Sequence, residues 1–377
     1  MLFRHIFGLL VGINLILTVI CQSRGYFNRN CPVNRSNGVR ECKMYVDTRL
    51  NFIDFRQWTS GLGNAVKVSL DITCSSNGRI YIPWPMKANG LVKLTIEGCI
   101  LEGYASEFNN PTRLKDELQD LSLDNIVIVS NLDSIFDIIY KPVTQEYDCG
   151  QQTLRSAVRR NISYMFPNIN DQRLSKRHEA LLMSSADELI KKSKQKRYRC
   201  NYSELNYIDQ SLSRTRSKLY IRLMTAYSEY PKLQTFLIAD NGYRRVPQEL
   251  IDWRKSFPQL TLLDMSKNKI SKFDFLGAPF KRMNTRSQPL VADLSNNLVT
   301  TIPLNMPDYL TGSVPIIVDL TGNPLNCNCD FLRYKNYAME AIRRFGRYNH
   351  LSQITCYSPR SRRKISLDNY RNNNCLI

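Results

Sequence analysis

Apolar and polar positions along this chain fall into one phrase that returns four times. It ends at Asn241 as FLIADN, at Asn268 as LDMSKN, at Asn297 as ADLSNN and at Asn323 as VDLTGN. Three residues before each asparagine stand Ile238, Met265, Leu294 and Leu320; five before stand Phe236, Leu263, Ala292 and Val318. Alternation by two over so short a segment predicts a strand with one buried face. Apolar residues continue two positions after the asparagine, at Tyr243, Ile270, Val299 and Leu325, and five after at Val246, Phe273 and Ile302.

The asparagines are 27, 29 and 26 residues apart, the period of leucine-rich repeats. One coil cannot bury its own apolar side chains, so coils must stack around a shared core. The expected fold is an α/β solenoid, a leucine-rich-repeat horseshoe with a parallel concave sheet. Each asparagine then sits where the chain leaves the strand, with its amide able to satisfy backbone groups of neighbouring coils. Asp264, Asp293 and Asp319 recur four residues before an asparagine. That row has the donor type for a cation, although carboxylates facing out of a strand surface are the ordinary reading.

Weaker copies extend the array. Leu205, Ile208 and Gln210 keep the template with Ser213 at the asparagine position. Leu91, Leu94 and Ile96 lead to Cys99, and Leu118, Leu121 and Leu123 lead to Ile126. These early copies also fit ordinary alternating strands of another domain.

A solenoid needs covered ends. After Asn323 the chain reads NPLNCNCDFLRY, then ITCYSP, then NNNCLI. Residues 323–375 resemble the cysteine-rich C-terminal cap of extracellular leucine-rich-repeat proteins of Slit-like, Toll-like and matrix type. The resemblance implies Cys327 joined to Cys356, Cys329 joined to Cys375, and a helix from about Asp330 closing the core. The sequence departs from the usual cap in its basic run of Arg360, Arg362, Arg363 and Lys364. Cys31-Pro32 and Cys42 resemble a reduced N-terminal cap, linked to each other. By order along the chain Cys74 with Cys99 and Cys149 with Cys200 follow, an order that does not prove connectivity.

Arg4 and His5, an apolar run from Ile6 to Ile20, and small or polar residues to Ser23 have the layout of a secretory leader cleaved after Ser23. If retained, the run would instead be a signal anchor. Cys21 leaves with the leader, so ten of the eleven cysteines remain, an even count suited to an oxidising compartment. Asn34, Asn161 and Asn201 head glycosylation sequons. Together these features predict a secreted, extracellular glycoprotein.

The formal charge is +19. It favours acidic partners, such as heparan sulfate or another polyanion, and export discards nucleic acid. Arg343, Arg344 and Arg347 precede Arg360, Arg362, Arg363 and Lys364, and the group is a candidate glycan site. Between the weak and strong repeats the template lapses. A helix is expected from 171 to 197, ending in a run of lysines that is either a functional insertion or a solvated face. The chain thus divides into a leader (1–23), an N-terminal cap-like segment (24–65), degenerate repeats (66–140), a basic helical insertion (141–200), clear repeats (201–325) and a cysteine-rich cap (326–377).

Only His178 and His350 remain after the leader, and no zinc-protease, phosphate-loop or serine-elbow motif is present. The expectation is no enzyme activity, no cofactor and no metal. The function expected is recognition of an extracellular protein through the concave face, in adhesion, recognition or innate defence. The alternatives are a basic matrix component held by sulfated glycosaminoglycans, or a receptor anchored in the membrane by its N-terminal segment.

Overall fold

The structure, a computed structural model, describes residues 27–34, 38–63, 65–83, 86–103, 117–129, 149, 152–165, 200–213, 221, 224–225, 228–275, 288–311, 314–358 and 363–371. The fold is a parallel-sheet solenoid of leucine-rich-repeat type. Its described residues fall into two compact units. The first runs to Ala157 and includes Ile162–Met165 and Cys200; the second holds Val158–Asn161 and continues from Asn201.

In the first unit β1 (Arg40–Val46) opens the sheet, followed by β2 (Arg49–Asn51) and helix α1 (Phe52–Ser60). Then come β3 (Val68–Cys74), β4 (Arg79–Tyr81), β5 (Leu91–Glu97), β6 (Ile100–Glu102) and β7 (Asp120–Val129). Strands β1, β3, β5 and β7 pair in parallel in that order. A second parallel ladder, β2 with β4 and β4 with β6, continues to β7 and lines up Leu50, Ile80, Leu101 and Ile128. Leu70, Ile72, Leu94, Ile96, Leu121 and Leu123 point into the core and are buried, so the early degenerate copies are coils. Helix α1 packs Phe52, Phe55 and Trp58 inward, and Phe27 stacks against Trp58 at 5.4 Å. Asn51 caps the helix by accepting from the Ile53 amide.

Strand β8 (Ser156–Met165) lies within the stretch assigned from sequence to the insertion. Asn161 there has a positive φ of 51° one residue before the buried Ile162. The same left-handed residue precedes Cys99 (Gly98), Ile126 (Asn125), Ser213 (Leu212) and the four asparagines (Asp240, Lys267, Asn296 and Gly322). It turns the chain out of the strand once per coil. At Gly322, with φ 75°, an added Cβ would stand 2.3 Å from Asn296 Oδ1, so the Asn296 side chain would have to move as well as the backbone strain be borne. The helix expected from 171 to 197 lies outside the described residues.

After β9 (Cys200–Asn201), whose first residue belongs to the first unit, the second unit holds the short strands β10 (Tyr207–Asp209), β11 (Ser228–Glu229), β12 (Thr235–Leu237), β13 (Leu262–Asp264), β14 (Leu290–Asp293) and β15 (Ile316–Asp319), alternating with longer returns. Strands β10, β12, β13, β14 and β15 form consecutive parallel pairs. Helices α2 (Gln248–Ile251) and α3 (Asp308–Thr311) are single turns on two of those returns. Phe236, Ile238, Leu263, Met265, Ala292, Leu294, Val318 and Leu320 are all 1% exposed or less, which places the template's inward positions in one core.

The asparagines bind coil to coil. Asn268 Oδ1 accepts from the amides of Asn241 and Tyr243 at 2.9 and 3.0 Å, while its Nδ2 donates to the carbonyls of Ile238 and Met265. Asn297 repeats this with Ile270 N and the Met265 and Leu294 carbonyls, and Asn323 with Val299 N and the Leu294 and Leu320 carbonyls. Ser213 does part of the same work, its hydroxyl donating to Arg159 O at 3.3 Å. Cys99 holds the equivalent position in the first unit and ties itself to the preceding coil by a disulfide to Cys74.

The C-terminal end is closed by helix α4 (Cys329–Phe345), capped by Asn328 and stopped by Gly346 at φ 64°. A hairpin of β16 (Thr355–Ser358) and β17 (Arg363–Ser366) follows. Helix α4 buries Phe331, Tyr334, Tyr337, Ala338 and Ala341.

Candidate binding face

Side chains at the alternate strand positions leave the core and form registered rows on the sheet of the second unit. One row runs Thr235, Leu262, Val291 and Ile317; the next runs Leu237, Asp264, Asp293 and Asp319. Leu237, Leu262 and Val291 are partly exposed, whereas Ile317 is buried. Neighbouring strands stand about 4.8 Å apart, so the three carboxylates form a closely spaced line beside an aliphatic one. Across β12 to β15 these outward positions carry no lysine or arginine.

Each aspartate also serves its own turn. Asp264, Asp293 and Asp319 accept, through Oδ1, the amide two residues on, from Ser266, Ser295 and Thr321 at 2.8 Å each. Asp209, in the equivalent place before Ser213, does the same for Ser211. Asp209 also stands four residues before the ladder position, but its coil has Ser213 there in place of asparagine, which hides it from the repeat phrase. Its second oxygen takes Arg160, the two forming an ion pair with Asp209 only 1% exposed. At the far end His350 Nε2 lies 3.2 Å from Asp319 Oδ2. Burial pushes the Asp293 carboxyl above its ordinary range; Ser295 opposes the shift and the neighbouring Asp264 and Asp319 add to it. Among the described residues no group of three or more His, Cys, Asp or Glu is placed to hold a metal ion.

The first unit has a different surface. Glu41, Ser69, Lys93 and Asp120 form one outward row, and Lys43, Asp71, Thr95 and Ser122 the next. Both signs of charge alternate there, so no single field dominates.

The basic candidates of the cap are divided by the structure. Arg343 donates to Glu340 at 2.8 and 2.6 Å, and Arg344 donates to the Leu310 carbonyl at 2.6 Å, tying α4 to α3. Arg347, Arg363 and Lys364 are exposed. Arg360 and Arg362 lie outside the described residues. Of the sequon residues, Asn161 and Asn201 are exposed; Asn34 is partly so and donates to Glu41.

Disulfides join Cys31 to Cys42, Cys74 to Cys99, Cys149 to Cys200 and Cys327 to Cys356. Cys329 is disulfide-bonded as well, and Cys375 lies outside the described residues. No helix among the described residues is long and apolar enough to cross a membrane, and the N-terminal run is outside them.

Neither a protein-family model nor a curated protein matches the sequence. Among solved structures, human 5T4 (Wnt-activated inhibitory factor 1, trophoblast glycoprotein) aligns with a TM-score of 0.43 and 13% identity. The alignment covers 91% of this chain and 96% of that one.

Proposed function

We propose that this chain is an extracellular binding protein that recognises a protein partner through the sheet face of its second unit. The observation that carries the reading is the pair of registered rows, aliphatic beside acidic, on strands whose opposite face is fully committed to the core. Partly exposed Leu237, Leu262 and Val291 give a contact apolar area to bury, and flanking polar groups give it specificity. Disulfides form and persist in oxidising compartments, which supports an extracellular site of action.

The test is an array of purified extracellular domains probed with the secreted protein and with Val291→Arg, which places a bulky charge in the aliphatic row. The expected result is one or more partners bound by the wild type and weakened at least tenfold by the substitution. Binding that is insensitive to Val291→Arg, or no binding at all, contradicts the reading.

A second reading, retention in matrix by sulfated glycans, is supported by the exposed Arg347, Arg363 and Lys364 of the cap together with the large positive charge. It uses a different surface and is compatible with the first.

A further inference from the structure

Resting on that reading of the sheet face, we infer that its partner is cationic: a protein surface that presents lysine or arginine side chains beside aliphatic or aromatic ones. The row carries a charge that the fold does not require. Holding the amide two residues ahead needs one acceptor oxygen, which asparagine supplies without charge. The coil of β12 shows that the acid is dispensable. Leu237 stands at the aspartate position, and the Ala239 amide is satisfied by the hydroxyl of Ser211 in the previous coil, at 3.2 Å.

Keeping acids at the other positions has a cost. Like charges directly opposite on adjacent strands are destabilising. Asp264, Asp293 and Asp319 are in direct register, and the Asp293 carboxyl is pushed above its ordinary range first by burial and then, against the opposing Ser295 hydrogen bonds, by its two neighbours. His350 meets Asp319 at the end of the row. The chain as a whole is strongly basic, with 52 lysines and arginines against 33 acids, so an acidic line without lysine or arginine on β12 to β15 is a local reversal of sign.

The geometry also sets the partner's shape. Positions two apart along a strand are about 7 Å apart, so the acidic and aliphatic rows are separated by that distance. A lysine or arginine fits both, its methylene stem lying on Leu262 and Val291 while its head reaches Asp264 and Asp293. An adjacent apolar side chain of the partner then meets Leu237, Leu262 or Val291. At physiological salt the Debye length is about 8 Å, so the local row governs a docked cation more than the repulsive charge of the whole chain does.

The experiment measures fluorescence anisotropy of two labelled peptides, one alternating arginine with leucine and one alternating glutamate with leucine, titrated with the full secreted chain. The wild type should bind the arginine peptide at least tenfold more tightly than the glutamate peptide. The double variant Asp264→Asn, Asp293→Asn keeps both turn acceptors and should lose that preference, while melting no earlier than the wild type. Equal binding of the two peptides, or a preference unchanged in the double variant, overturns the inference. If array partners are lost on Val291→Arg but bind the double variant as tightly as the wild type, the face reading stands and the cationic partner falls. Sedimentation supplies a further check: self-association abolished by the double variant would make the occupant a second copy of this chain and overturn a foreign partner.

Discussion

The hydroxyl of Tyr337 accepts from the Val318 amide and donates to the Ile316 carbonyl, each at 2.8 Å. Tyr334 adds a bond of 3.1 Å to the Val318 carbonyl. Two side chains of α4 thus do for β15 what another strand would do, and the last coil ends without exposing a pairing edge. Burial raises the pKa of both phenols, which keeps them neutral and able to donate. Tyr337→Phe leaves a buried amide and a buried carbonyl without that partner and should cost about 1–3 kcal/mol. Denaturant unfolding checks this; an unchanged midpoint contradicts the role assigned to the hydroxyl.

The asparagine ladder should contribute more to stability, because each asparagine serves more buried groups. Asn268 serves two amides of the preceding coil and carbonyls of both coils, all buried. Asn268→Leu orphans several such groups at roughly 1–3 kcal/mol each, and the total should reach about 3 kcal/mol or more. Asn305→Ala, at an exposed side chain, should stay within about 0.5 kcal/mol in the same unfolding experiment.

The repeat was readable because its period and its buried amide were both written in residue types: alternating aliphatics, then asparagine, from Phe236 to Leu325. The coil of β8 was not. Its position three before Ile162 is Arg159, where other coils place Ile238, Met265 or Leu294, so hydrophobic alternation hides it. The left-handed turn residue would have been a second signal, but Gly98, Asn125, Asn161, Leu212 and Lys267 share a backbone conformation and not a chemistry. The binding face is half legible: the spacing of Asp264, Asp293 and Asp319 sets them on one row, whereas the aliphatic row of Leu262 and Val291 becomes a row only once strand register aligns it. Arg344 stands beside the other basic residues of the cap in sequence, and only the fold shows it bonded to Leu310.

Asp293 supplies a pH signature with a definite sign. Its carboxyl titrates higher in the folded chain than in the unfolded one, so the folded state is favoured below the unfolded carboxylate pKa and loses that advantage as pH rises through the folded value. Asp293→Asn should therefore be at least as stable as the wild type at pH 7, by roughly 0.2–1 kcal/mol for a like-charge cross-strand contact. The difference should fade below about pH 4, where the ordinary carboxyl is protonated too. Thermal melts of both proteins at the two pH values check it; a variant less stable at pH 7 contradicts the sign.

For the cap, Arg347, Arg363 and Lys364 changed together to serine should elute from immobilised heparin at lower salt than the wild type. Removing Arg244 and Arg245, exposed cations on a repeat turn, is the comparison. An equal shift for both variants would show a diffuse charge effect in place of a site on the cap.

The most direct measurement is carboxyl footprinting of the secreted chain, free and bound to a partner found on the array. Carbodiimide labels accessible carboxylates, so Asp264 and Asp293 report on the sheet face, while Glu340 on α4 reports on the cap. The account predicts that partner binding protects Asp264 and Asp293 severalfold and leaves Glu340 labelled as before. Unchanged labelling of both aspartates in the complex, with protection at Glu340 or elsewhere, would contradict it.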